Sequence, residues 1–177
     1  MRATFLPERL MLTDLARVPD PLACLDRLGP GGGVVLRDQD APERRRWAER
    51  LRVATQRRGQ LLFVANDPVM AEAVDADGLH LAERQVGRVS PWGLTSAACH
   101  SLQAIRRAER CGADMLLLSP VFPTASHPGA PSLGLHRARA LSLATALPTY
   151  ALGGVTHGSA RQLGPSFTGW AAIGAFA

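Results

Sequence analysis

The sequence predicts an α/β fold: a compact single-domain (β/α)₈ TIM barrel with minimal helices and without the last one. Three observations predict it. Eight short apolar runs recur along the 177 residues, and seven helical patterns alternate with them. Several of the runs are apolar at consecutive positions, as parallel strands buried on both faces are. Known barrels of this kind run to about 250 residues, so the helices and loops here must be short. This count and alternation favour a closed barrel over an open doubly wound sheet. A flavodoxin-like sheet is the other arrangement the pattern allows.

The elements follow in order. Arg9–Thr13 (RLMLT) is the first strand. Pro21–Leu28 is a short helix ended by the breaker run Gly29-Pro30-Gly31-Gly32-Gly33. Val34–Arg37 is the second strand, and Ala41–Arg57 an amphipathic helix with Trp47, Leu51 and Ala54 near one face. Leu61–Ala65 is the third strand. Asp67-Pro68 opens the next helix, with the Asp as cap and the Pro in the first turn. Gly78–Leu81 is the fourth strand, 82–91 a weak helix or loop, and Gly93–Ala98 the fifth strand. Ser101–Cys111 is a helix capped by Ser101 and stopped at Gly112. Met115–Leu118 is the sixth strand, followed by a long loop, Ser119–Gly134. Leu135–Leu147 is a helix, Thr149–Gly153 the seventh strand, Thr156–Leu163 a helix and Trp170–Ile173 the eighth strand.

Composition narrows the function classes. The chain is 46% hydrophobic but only 5% aromatic, so its core is aliphatic. Its net charge is +5, which favours an anionic partner. All 20 basic residues are Arg. A chain without Lys cannot run Schiff-base chemistry on its own amine and has no ammonium point charge for a phosphate. The arginines at 44–46 and 57–58 lie in or just after a helix that also carries Glu43, Glu49 and Arg50, which reads as a solvated mixed-sign face. Trp47 is the one aromatic beside them, so no series of rings is offered to bases. Nucleic acid is therefore not an expected partner. Cys24, Cys99 and Cys111 are scattered and read as free buried thiols in a reducing compartment. No stretch is long and apolar enough to span a bilayer, and a cytoplasmic, membrane-free protein is expected.

In a barrel the working residues lie at the strand C-termini. Those positions hold Arg37 and Asp38, Asn66 and Asp67, Glu83 and Gln85, Cys99 and His100, the 119–134 loop, Gly153-Gly154, and Ile173-Gly174. Glycine lets an anion approach backbone N–H groups without a Cβ in the way. Barrels often build a phosphate site after strands seven and eight. The alternative is that these glycines simply end strands. The loop SPVFPTASHPGAPSLG offers the hydroxyls of Thr124 and Ser126 and the imidazole of His127. Of the other histidines, His80 reads as a hydrogen-bonded structural residue, and His136 and His157 as exposed. A metal trio of His80, Cys99 and His100 lacks a supporting spacing. Asp67 has a plain alternative as a helix cap without a metal.

The segments VVLRDQD, VANDPVMAEAVDADGLHL, CHSLQAIRRAERCGADMLLLSPVFPTASHPGAPSLG, YALGGV and GWAAIGAF, in that order, resemble the thiamine phosphate synthase and thiazole tautomerase family. The resemblance implies a barrel that binds a thiazole phosphate. It also implies a hydroxymethylpyrimidine diphosphate that ionises with Mg²⁺ help, so that the thiazole nitrogen captures the pyrimidine carbocation. It places Thr124, Ala125 and Ser126, Gly153 or Gly154, and Ile173 and Gly174 on the thiazole phosphate. Arg37 and Asn66 fall on the pyrimidine diphosphate side, and Asp67 on an Mg²⁺ ligand.

The same resemblance marks departures. Gln39 and His127 stand where the family has Lys, Val35 where it has Gln, Gln85 where it has the second metal carboxylate, and Ala98 where it has Ser. A departing diphosphate needs cations, and Arg37 with a protonated His127 would supply them. Tautomerisation needs only proton transfer, which His127 could perform, although Pro120 occupies the position of a tautomerase histidine. Three functions therefore stay open: synthase, thiazole isomerase, and non-catalytic binder of a thiamine precursor. Phosphorylated thiazole and pyrimidine molecules are the expected partners, and a homodimer the expected assembly.

Overall fold

In the computed structural model, which describes residues 5–124, 129 and 131–177, eight parallel strands close into a barrel in chain order. The strands are β1 (Arg9–Leu12), β2 (Gly33–Leu36), β3 (Leu61–Ala65), β4 (Gly78–Leu81), β5 (Leu94–Cys99), β6 (Met115–Leu118), β7 (Thr149–Ala151) and β8 (Gly169–Ala172). β8 returns to β1 through the register Arg9↔Trp170, Leu10↔Ala171 and Met11↔Ala172. The helices are α1 (Leu25–Leu28), entered through a 3₁₀ turn at Pro21–Cys24, then α2 (Arg44–Arg57), α3 (Pro68–Ala73), α4 (Leu102–Arg110), α5 (Leu135–Leu143) and α6 (His157–Ala160). A 3₁₀ turn, Glu83–Gln85, stands between β4 and β5. None of the helices among the described residues is long and apolar enough to cross a membrane.

Side chains alternate across each strand, and this sorts the core into two layers. One layer fills the barrel: Leu10, Leu12, Val35, Leu61, Phe63, Ala65, Met115, Leu117, Tyr150 and Ala171. The other lies between strands and helices and includes Met11, Val34, Leu36, Leu62, Val64, Leu79, Leu81, Leu116 and Leu118, with Leu51 of α2 and Ile105 of α4. Inside the barrel, large residues close over glycines. A Cβ at Gly78 would lie 2.1 Å from the Leu94 carbonyl oxygen and 2.7 Å from the Phe63 ring. The two rings of the inner layer, Phe63 and Tyr150, thus pack against strand glycines, Phe63 over Gly78 and Tyr150 over Gly169.

Three helices are shorter than their apolar patterns predict. α2 begins at Arg44 rather than Ala41, because Glu43 takes a left-handed conformation (φ 56°) as its N-cap. α5 stops at Leu143, and Thr145 Oγ1 accepts the Leu147 N–H at 3.1 Å as the chain turns into β7. α6 stops at Ala160, and the carbonyls of Gln162 and Leu163 accept from the Arg139 guanidinium. Among the described residues no helix follows β8; Phe176, fully buried, seats the last turn beside Trp170.

Candidate functional site

The C-terminal ends of β1 and β2 are stitched together. Arg37 donates from its backbone N–H to Thr13 Oγ1 (3.0 Å), from Nε to the Thr13 carbonyl (3.1 Å) and from Nη2 to Asp14 Oδ2 (2.8 Å). Asp38 accepts from Thr13 Oγ1 (2.5 Å) and the Leu15 N–H (2.9 Å). The Arg37 side chain remains 39% exposed, so a fixed fork of donors stands at the barrel mouth with its charge balanced by Asp14.

At the end of β3, Asn66 adopts a left-handed conformation (φ 57°). Its N–H donates to the His80 carbonyl and its Oδ1 accepts the Ala82 N–H, both at 2.8 Å. It therefore clamps β3 to β4. Asp67 next to it is engaged twice. Oδ1 accepts the Met70 N–H (2.9 Å), which caps α3, and Oδ2 accepts from Arg44 Nη1 (3.2 Å). Arg44 Nη2 also donates to the Ala65 carbonyl (2.7 Å).

Mg²⁺ asks for near-octahedral oxygen donors and commonly takes one or two carboxylates with several waters. Here the single carboxylate is already paired with a guanidinium, the neighbouring Asn66 oxygen is committed, and Gln85 is a neutral amide. Among the described residues no three His, Cys, Asp or Glu side chains converge as a metal site. As they stand, these residues do not fit a divalent ion.

His80 faces the barrel interior from β4, on the same side as Gly78, and its Nδ1 lies 2.8 Å from Ser96 Oγ on β5. Ser96 Oγ in turn donates to the Leu79 carbonyl (3.4 Å). Burial, reinforced by the Arg37 charge, lowers the His80 pKa to about 4. Cys99 faces the opposite way, into the outer layer, where burial pushes its thiol up to about 12. His100 is exposed and bonds Glu83 through both its N–H (3.0 Å) and Nδ1 (2.5 Å). The three residues therefore point in different directions and do not form a metal trio. Cys24 and Cys99 are buried free thiols as expected, whereas Cys111 is only half-buried.

Across the mouth, Pro120–Phe122 runs between two segments. Val121 and Phe122 donate to the carbonyls of Leu152 and Gly153, and Leu133 and Gly134 donate back to those of Pro120 and Val121. Gly153 and Gly154 have φ of 90° and 66°. A Cβ on the first would lie 2.7 Å from Pro120 Cα, and on the second 2.3 Å from the Pro123 carbonyl oxygen. Both positions thus require glycine for two reasons, left-handed backbone and close approach. Among the described residues, no acceptor receives the N–H groups of Gly153, Gly154 or Gly174. Ile173 packs on the barrel core, while a Cβ on Gly174 would meet nothing within 4 Å. Thr124 is half-buried at the end of this segment. Ala125, Ser126 and His127 lie outside the described residues.

Thr13, Asp14, Arg44 and Ser96 belong to this constellation and are absent from the sequence-based set. Strand-end logic could have found Asp14, which follows β1 as Asp38 follows β2. Arg44 gave no such signal. It sits in a run with Arg45 and Arg46, whose side chains are 71% and 68% exposed against 11% for Arg44.

Residues 20–176 match the family model described as Thiamine monophosphate synthase (TMP-TENI). A chain of Aquifex aeolicus (strain VF5) that carries a thiamine-phosphate synthase name is 38% identical over 130 residues, 70% of each sequence. The thiamine-phosphate synthase of Pyrococcus furiosus is 30% identical over 161 residues, covering 86% of this chain and 78% of that one. The solved structure of thiamine phosphate pyrophosphorylase from Pyrococcus furiosus superposes with a TM-score of 0.78 at 28% identity, over 94% of this chain and 85% of the other.

Proposed function

Because the chain belongs to the thiamine monophosphate synthase family, we propose that it joins hydroxymethylpyrimidine diphosphate to thiazole phosphate, giving thiamine phosphate and diphosphate. One observation carries the reading: two obligate glycines after β7 are packed against Pro120–Pro123, with their N–H groups unengaged among the described residues. Backbone N–H groups free of Cβ atoms suit an anion. The thiazole phosphate would sit there, with Gly174 and Ile173 beside it and Thr124, Ala125 and Ser126 over it. Arg37 and Asn66 would meet the pyrimidine diphosphate on the other side of the mouth. The thiazole nitrogen forms its bond to the pyrimidine methylene carbon as the carbon–oxygen bond to diphosphate breaks. Arg37 and a protonated His127 would take up the charge that develops on the leaving oxygen. Purified protein given both substrates should release diphosphate and form thiamine phosphate. A yield no higher than the no-enzyme control ends this assignment.

The engagement of Asp67 by Arg44 favours a second, metal-free reading on the same site, isomerisation of a thiazole phosphate carboxylate. It expects turnover in chelator and its loss in His127→Ala. Full rate in that variant would exclude His127 as the acid or base.

A further inference from the structure

We propose that Asp67 does not hold a divalent cation in this protein and that the Arg44 guanidinium stands permanently in the cation's place at the end of β3. The donor geometry supports this. The Met70 N–H takes Asp67 Oδ1 at 2.9 Å, and Arg44 Nη1 takes Oδ2 at 3.2 Å. Arg44 is anchored independently by Nη2 on the Ala65 carbonyl at 2.7 Å. Its side chain is 11% exposed, and its Nε is buried without a partner. It therefore cannot swing into water, as Arg45 and Arg46 can, without giving up both its acceptors. A metal ion on Oδ2 would sit beside a guanidinium of like charge. Taking Oδ2 from that guanidinium while it stays in place would leave a nearly buried cation unpaired, which costs more than the pair itself is worth. The neighbouring oxygen, Asn66 Oδ1, already accepts the Ala82 N–H.

The electrostatic consequence is specific. A carboxylate bearing a divalent ion presents one net positive charge, whereas Asp67 paired with Arg44 presents none. Arg37 is balanced in the same way by Asp14 at 2.8 Å. This half of the mouth therefore offers hydrogen-bond donors without a surplus of charge, and Asp67 brings no Mg²⁺ to it. The metal inference stands on the Arg44–Asp67 geometry alone; only its consequence for substrate rests on the synthase reading.

The test is a Mn²⁺ titration of the full chain without other ligand, followed by loss of the free-ion electron paramagnetic resonance signal. The quantity read is the binding that Asp67→Asn removes. The wild type should show none up to millimolar Mn²⁺. Arg44→Met should gain an Asp67-dependent site that fills at least tenfold below that limit, absent again in Arg44→Met/Asp67→Asn. Asp67-dependent binding by the wild type would overturn the proposal, and so would an Arg44→Met protein that binds no better. If Arg44→Met does not fold, the wild type still decides. The Arg44 Nε–H resonance should stay unmoved through a Mg²⁺ titration, and a saturable shift or broadening would refute the inference. Neither readout involves turnover, so failure of the synthase reading leaves both intact.

Discussion

Inside the barrel the His80 imidazole has exchanged water for Ser96 Oγ, and burial holds it neutral. Its pKa of about 4 lies below the ordinary 6.5, through burial first and the Arg37 charge second. The unfolded chain therefore binds a proton more readily than the native one between those values. Stability from this group is complete above pH 6.5 and is lost as pH falls towards 4. The full loss is on the order of 3 kcal/mol. Urea unfolding at pH 7, 5.5 and 4.5 should show that slope in the wild type and a flatter one in His80→Asn. Equal slopes would mean that His80 is protonated as easily in the native state as in the unfolded one. A second residue-scale prediction concerns Gly78. Its added Cβ would lie 2.1 Å from the Leu94 carbonyl oxygen and 2.7 Å from the Phe63 ring. Backbone cannot yield as a flexible side chain does, so Gly78→Ala should cost about 3 kcal/mol or more in urea unfolding. The structural reading of His80 was legible because the residue lies within a strand motif, ADGLHL. The burial of Arg44 was not. A charged residue at the start of a helix looks the same in sequence whether it faces water or a neighbouring helix cap.

Elements were most legible where a side chain talks to its own backbone. Ser101 caps α4 by accepting the Ala104 N–H, and Asp67 caps α3 by accepting that of Met70; both are interactions three residues long that need no tertiary information. β3, β4 and β6 begin and end where their apolar runs do. The ends of α5 and α6 were overextended because the groups that stop them come from elsewhere. Glu109 engages the Thr145 hydroxyl across 36 residues, and Arg139 takes the Gln162 and Leu163 carbonyls. The two caps also differ in what stands behind them, which gives an ordered prediction. Ser101→Ala should cost about 1 kcal/mol, the worth of a cap. Asp67→Ala should cost roughly 3 kcal/mol, because it also strands a buried guanidinium. Asp67→Asn, which keeps an oxygen for Met70, should fall between them. Denaturant midpoints of the three variants decide the order. Equal costs for Ser101→Ala and Asp67→Ala would show that the Arg44 pair contributes nothing.

At the scale of the whole molecule, a closed barrel has no edge strand to protect, but this one has a seam. β7 and β8 share only two register pairs, Tyr150↔Gly169 and Ala151↔Trp170. No helix covers the outer side after β8 among the described residues. Three rings do that work instead. Trp170 stacks on Phe176 at 5.1 Å between centroids, and His157 meets both edge-on at 5.1 and 5.5 Å. Arg27 Nη1 then holds the Phe176 carbonyl at 3.2 Å, tying the last turn back to α1 beside β1. This ring stack was not legible in the sequence, since one aromatic near the end carries no periodicity to read. The same seam flanks Gly153-Gly154 and Gly174, so its integrity bears on the candidate phosphate site. Phe176→Ala removes a fully buried ring and should cost about 3–5 kcal/mol. Leu143→Ala, at a side chain 74% exposed, should stay within about 0.5 kcal/mol of the wild type. Hydrogen exchange should locate the damage: amides of β7 and β8 should lose protection in Phe176→Ala while those of β3 and β4 keep theirs. Uniform loss of protection around the barrel would mean that the ring stack stabilises the fold as a whole. Loss confined to β7 and β8 means that these rings hold shut the side of the barrel where the anion is proposed to bind.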